Sequence, residues 1–152
     1  MTQAVPATRP AAADSEIKEW HFHTYFLQNN QQSQAAATNI YNSLNNHLAN
    51  KDFIAVPLQT VNQGPIGPHL IGSFETWCPK EYFHTVYEWF LLNRAGLSIL
   101  IHPLTREEVR DHSERAVWMG TPLPLDLTKL SPLLDKVPLQ YPEYKLGYSR
   151  ET

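Results

Sequence analysis

Two stretches of helical periodicity, each bracketed by runs of strand character, constrain this chain more than any other feature. Residues 20–26, 53–58, 73–77 and 97–101 have the aromatic and β-branched content of strands. From about residue 34, Ala37, Ile40, Tyr41, Leu44 and Leu48 recur at three- and four-residue spacings, with Asn and Gln opposite. Phe83, Val86, Tyr87, Phe90 and Leu91 mark the buried face of a second helix, with Pro79 where it would begin and Gly96 as its C-terminal cap. Pro57 gives the second strand an edge position. The order β-α-β-β-α-β is that of a split βαβ unit, so the expected architecture is an α+β ferredoxin-like sandwich. In the strand order 4-1-3-2, strand four would run antiparallel to strand one on one side, and strand three parallel to it on the other.

The flanks carry less pattern. Residues 1–15, rich in Ala, Pro and Thr, read as a flexible tail, and residues 16–152 as a single domain with its core at 19–120. Residues 105–117 form a short helical or looped excursion carrying Asp111 and His112. Residues 123–148 are an irregular, proline-punctuated extension that wraps the domain, with helical turns at 127–134.

Composition removes several function classes. The formal net charge is −3 and Lys and Arg are scattered, so the chain lacks the basic stripe of a nucleic-acid binder. No apolar run approaches the ~18–20 residues of a membrane span, residues 90–101 being interrupted by Asn93 and Arg94. The N-terminal stretch has no apolar core of a secretory signal. A single cysteine, Cys78, excludes an intramolecular disulfide and any CxxC motif and suits a reducing cytoplasm; it reads as a semi-buried small residue rather than a nucleophile.

Chemistry concentrates in the histidines, of which there are seven. His47 and His84 lie on the helices with no shared face and read as solvated or boundary residues. His21 and His23 alternate with Trp20, Phe22 and Thr24, so both project from one face of the first strand, about 6.6 Å apart in rise. His102 ends strand four, beside the start of strand one. His69, preceding a strand three taken as parallel, is expected at that same end. Four histidines from three segments then converge on one edge of one sheet face. Imidazole ligands favour Zn, Fe, Cu or Ni, and three nitrogens with open positions suit catalysis. Glu75 would complete a two-histidine, one-carboxylate set if it shares the face. Asp111 is a ligand candidate or an acceptor that fixes an imidazole tautomer.

Several motifs occur in order: residues 19–26 (EWHFHTYF), Gly67-Pro68-His69, residues 92–105 (LNRAGLSILIHPLT), and Asp111-His112 followed by Trp118-Met119-Gly120. Together they resemble the DOPA 4,5-dioxygenase family over roughly residues 19–127. The resemblance implies a ferredoxin-like fold, often dimeric, and extradiol cleavage of a catechol such as L-DOPA by O₂ with Fe(II), zinc being a possible occupant of a purified sample. The histidines of the matched motifs are His21, His23, His69, His102 and His112. On this reading His21, His23, His69 and His102 are metal candidates, and His23 and His112 are candidate proton-transfer groups. Arg94 would pair with a substrate carboxylate, or serve as a helix C-terminal cation. Tyr25 and Trp118 would wall the ring, or simply pack. The expected partners are a small catechol, O₂ and a second copy of the chain, in a cytoplasmic setting. Two rivals share the scaffold: a zinc hydrolase, and a non-enzymatic metal-binding or dimerisation module.

Overall fold

A computed structural model describes residues 16–150; the expected tail at residues 1–15 lies outside them. The elements are β1 (Glu19–Phe26), α1 (Gln31–Asn50), β2 (Val56–Pro57), β3 (Gly72–Pro79), α2 (Phe83–Asn93), β4 (Ile99–Pro103), α3 (Glu108–Asp111) and β5 (Val117–Met119). They build one five-stranded sheet in the order β2-β3-β1-β4-β5. The βαββαβ unit and its 4-1-3-2 order are present, extended by β5 on the far side of β4.

The sense of one strand pair differs from expectation. β3 runs antiparallel to β1, with His23 opposite Glu75 and Tyr25 opposite Ser73. The crossover through α1 makes β2 parallel to β1, and β3 returns antiparallel between them. Strand three therefore begins beside Phe26, at the far end of β1 from where a parallel strand would bring it.

Alternation along β1 sends its two sides to different work. Phe22 and Phe26 join Phe74, Cys78, Ile99 and Ile101 beneath the helices, where Ala37, Ile40 and Leu44 of α1 and Val86 and Phe90 of α2 close the main core. Phe22 stacks on Phe90 with ring centroids 4.9 Å apart. Cys78 is fully buried there, and burial pushes its thiol well above the usual range, as befits a packing residue. α1 starts at Gln31, ahead of the apolar stripe that begins near residue 34: the Asn30 side chain accepts from Ser33 N–H at 2.9 Å and caps it. α2 ends in a turn closed by Leu97 N–H donating to Arg94 O, with Ala95 and Gly96 both at positive φ.

The opposite face is covered by the C-terminal extension. Trp77, Val56 and Leu104 form a second core with Tyr141, Tyr144, Leu146 and Tyr148 packed on it. The anchor is Glu19, only 1% exposed, which accepts from Trp77 Nε1–H at 2.9 Å and Tyr148 N–H at 3.0 Å. Burial raises the Glu19 pKa, opposed by these hydrogen bonds. Gly147 passes over it at φ +59°, where a Cβ would lie 2.5 Å from Glu19 Cγ. Among the described residues no helix is long and apolar enough to cross a membrane.

Gly147→Ala is expected to cost roughly 2 kcal/mol, from the left-handed backbone and the clash with Glu19. Urea unfolding with an unchanged midpoint would contradict this account of the anchor.

Candidate metal centre

The face of β1 turned from the helices presents Glu19, His21, His23 and Tyr25 in line. β4 pairs antiparallel with β1 so that His21 stands opposite His102. Loop residue His69 reaches the cluster from the Tyr25 end, a consequence of the antiparallel β3, and α3 delivers His112 from above. The five imidazoles that the motifs single out thus come together. Ring centroids are 5.1 Å apart for His21 and His102, 5.1 Å for His23 and His102, 4.3 Å for His23 and His69, and 3.8 Å for His102 and His112. His47 instead pairs with Asp52 at 2.8 Å, and His84 is exposed.

The partners of each ring decide which nitrogen is left for chemistry. His102 Nδ1–H donates to Pro103 O at 2.8 Å, and His112 Nδ1–H to Glu108 O at 2.8 Å. A carbonyl can only accept, so in each neutral ring Nε2 carries a lone pair. His21 Nδ1 faces Glu75 Oε1 at 2.7 Å, and its Nε2 lies 2.5 Å from Gln140 Oε1. His23 Nε2 and His102 Nε2 are 3.0 Å apart, so His23 Nε2–H donates to the His102 lone pair. Tyr25 Oη and His69 Nδ1 are 2.6 Å apart.

These rings fit a transition metal. Ligand atoms from His21, His23 and His102 all lie within 4.8 Å of one another. Two imidazole nitrogens bound to one ion at about 2.1 Å stand roughly 3–3.5 Å apart, the spacing already found between His23 and His102. Glu75 does share the histidine face, but both its oxygens are engaged, by His21 and, at 3.3 Å, by Gln140 Nε2–H. It stands behind His21 as a carboxylate that orients an imidazole. Burial raises the Glu75 pKa, yet the His21 hydrogen bond and charge prevail and the net shift is downward. Asp111 is likewise occupied: it accepts from Thr105 N–H at 2.9 Å and Arg115 Nη1–H at 2.8 Å, pinning the helix that carries His112.

A cavity of about 290 Å³ opens onto the cluster. The five histidines, Glu75, Glu108 and Asp111 line its floor, and Leu104, Leu130, Leu134 and Pro138 wall it. Its size sits at the lower end for small-molecule sites. Arg94 is not part of it; its Nη1–H donates to Leu97 O at 2.9 Å, closing the turn after α2. Trp118 stacks on Tyr25 at 5.6 Å and lines an adjoining cavity that shares His112. Gln140 escaped sequence reasoning, since one amide in an irregular segment carries no spacing signal.

Burial, with the neighbouring imidazoles adding to it, holds His23 and His102 far below the ordinary histidine value. Burial also moves His69 from 6.5 to about 4 and lowers His112. A buried ring that stays neutral stabilises the fold above the unfolded value and withdraws that stability as the unfolded chain takes up protons. The metal-free protein should therefore keep a level Tm above about pH 7 and lose stability from pH 6.5 down through about 4. His69 alone accounts for roughly 3 kcal/mol at the end of that range. A Tm equal at pH 7.5 and pH 5 would contradict the buried, neutral cluster.

The Dopa 4,5-dioxygenase family matches residues 20–129. The chain is 52% identical over 136 residues to a DOPA 4,5-dioxygenase of Amanita muscaria, covering 90% of this chain and 60% of that protein. It is 33% identical over 124 residues to an uncharacterised 21.2 kDa protein of Botryotinia fuckeliana, covering 76% and 65%. The chain thus spans less than two thirds of the length of these curated relatives. A crystal structure of a candidate dioxygenase from Nostoc punctiforme superposes with a TM-score of 0.66 at 31% identity, covering 74% of this chain and 90% of that one. The chain belongs to the Dopa 4,5-dioxygenase family.

Proposed function

We propose that this family member opens the ring of a catechol such as L-DOPA with O₂, in the extradiol mode, at a ferrous ion held by His21, His23 and His102. The observation that carries the reading is the meeting of three ligand-competent imidazoles on the sheet face turned from the helices. It lies within the stretch matched by the dioxygenase family.

When bound, iron supplies a Lewis acid that lowers the catechol's phenolic pKa and a place where ring and oxygen meet. The chain's own residues do the rest. Glu75 accepts from His21 and fixes its ring plane, and Pro103 O fixes that of His102. His112, kept neutral by burial and bound through Nδ1 to Glu108 O, offers Nε2 as acceptor for a catechol hydroxyl proton. Leu104, Leu130, Leu134 and Pro138 exclude water from the ring. Tyr25 and Trp118 close one side of the cluster as a stacked pair. A homodimer in a reducing cytoplasm accompanies this reading.

The test is to load the purified chain with Fe(II) anaerobically, add L-DOPA or caffeic acid, admit air, and follow oxygen uptake with the yellow absorbance of the product. Turnover is expected, and His21→Ala and His102→Ala should each lower it at least ~100-fold, the scale of losing a metal site's orientation. No turnover with any of several catechols, alongside tight zinc binding that raises Tm, would turn the assignment toward a zinc hydrolase or a metal-binding module.

A further inference from the structure

Of the five clustered histidines, His69 differs in what holds it. The Nδ1 atoms of His21, His102 and His112 face a carboxylate or a backbone carbonyl, groups that only accept. His69 Nδ1 faces the Tyr25 phenol at 2.6 Å, a group that can donate. Tyr25 is 2% exposed, and among the described residues its hydroxyl has no other polar partner. Were His69 Nδ1 to carry the proton, the phenolic hydrogen would be buried with no acceptor. The arrangement that leaves nothing orphaned has Tyr25 O–H donating to Nδ1, with the His69 proton on Nε2. His69 is 8% exposed, and this second nitrogen has no protein partner among the described residues, while the ring lines the cavity.

We propose that His69 is not a metal ligand but a hydrogen-bond donor to a catechol oxygen, its tautomer fixed by Tyr25. A metal on Nε2 would drive the His69 proton to Nδ1 and leave the buried Tyr25 hydrogen with no acceptor, a cost that no Nδ1 contact of His21 or His102 imposes, and Nδ1 itself is occupied by the phenol. The nitrogens of His21, His23 and His102 form a ligand group without it. His69 lies beside His23, with ring centroids 4.3 Å apart, so a donor on its free edge borders the space where a molecule bound next to that group would rest. His69 is thus a catalytic residue and Tyr25 a positioning residue acting through it. The catechol in this assignment rests on the proposed dioxygenase function; the tautomer and the exclusion of His69 from the ligand set do not.

Three measurements separate these claims. Nitrogen-15 NMR of the metal-free protein at neutral pH should show His69 as the Nε2–H tautomer, and Tyr25→Phe should release that preference. Zinc titration should give the wild-type stoichiometry in His69→Ala and Tyr25→Phe, whereas His102→Ala loses the site. Zinc-loaded His69→Ala should bind 4-nitrocatechol about tenfold more weakly than wild type, a loss of one hydrogen bond's order, with Tyr25→Phe between the two. A His69→Ala protein that folds, by an unchanged Tm, yet no longer holds zinc would make His69 a ligand and overturn the proposal. An Nδ1–H tautomer in the wild type would overturn the role of Tyr25. Failure of the wild-type zinc protein to bind 4-nitrocatechol would defeat the dioxygenase reading and the catechol role with it, while tautomer and stoichiometry would still decide whether His69 is a ligand.

Discussion

His21 stands opposite His102 because β1 and β4 pair in one register, and every other element of the site is arranged around that rung. The register is enforced from the other side of the sheet. Phe22 pairs with Ile101 and Thr24 with Ile99, and Phe22, Ile99 and Ile101 all belong to the helix-covered core. A slip of one residue would drive imidazoles under the helices and push phenylalanines into the cavity. Each large apolar side chain in that core resists exposure by roughly 1.5–3 kcal/mol. The packing that stabilises one face therefore sets the distances between imidazoles on the other.

Burial of the chemical face has a cost, met by polar pairing as well as by the apolar packing around Trp77. The C-terminal extension covers the face, and beside its aromatic packing on Trp77 it makes polar contacts with the sheet: Tyr148 N–H to Glu19, Tyr148 O–H to Leu104 O at 2.7 Å, and Gln140 to His21 and Glu75. A buried carboxylate at Glu19 is tolerable because two donors meet it. Arg115 bridges Asp111 and Glu107 in the same manner, holding the short helix that would otherwise have little to fix it. Cover and chemistry are thus coupled: Gln140, which closes the cavity, touches the imidazole nearest the anchor of the extension.

How much of the fold and the site is legible in the chain depends on periodicity. His21 and His23 sit in a clean two-residue alternation, so the residue pattern alone puts them on a shared face, and the helix stripes at Ala37–Leu44 and Val86–Phe90 are equally plain. His102 follows from strand order. His69 joins the cluster by a different route from the one expected, because a histidine three residues before a strand takes its position from that strand's direction, and no local pattern states the direction. β5 has only three residues, too few for a period to register, and α3 has four. Arg94 misleads because a cation after a helix has the same sequence appearance whether it caps a turn or meets a substrate. Glu19 and Gln140 leave no signal: one buried carboxylate in a strand and one amide in a proline-rich tract acquire meaning only from partners 58 to 129 residues away.

One residue type occurs five times in this cluster and is differentiated by what its far nitrogen meets. Backbone carbonyls at the end of β4 and in α3 leave an Nε2 lone pair on His102 and His112, and a carboxylate on β3 orients His21. These acceptors cannot reverse their role, so the rings they hold are set once the chain folds. Tyr25 lies two positions beyond His23 on the same strand face, and its phenol gives the cluster a group that can donate instead. The same alternation that lines up His21 and His23 therefore also places the phenol that meets His69. A sheet face carrying His-x-His-x-Tyr against carbonyls and a carboxylate presents acceptor nitrogens and, in the proposed tautomer of His69, a donor to one cavity, the combination that the proposed binding of an ion and a phenolic oxygen calls for.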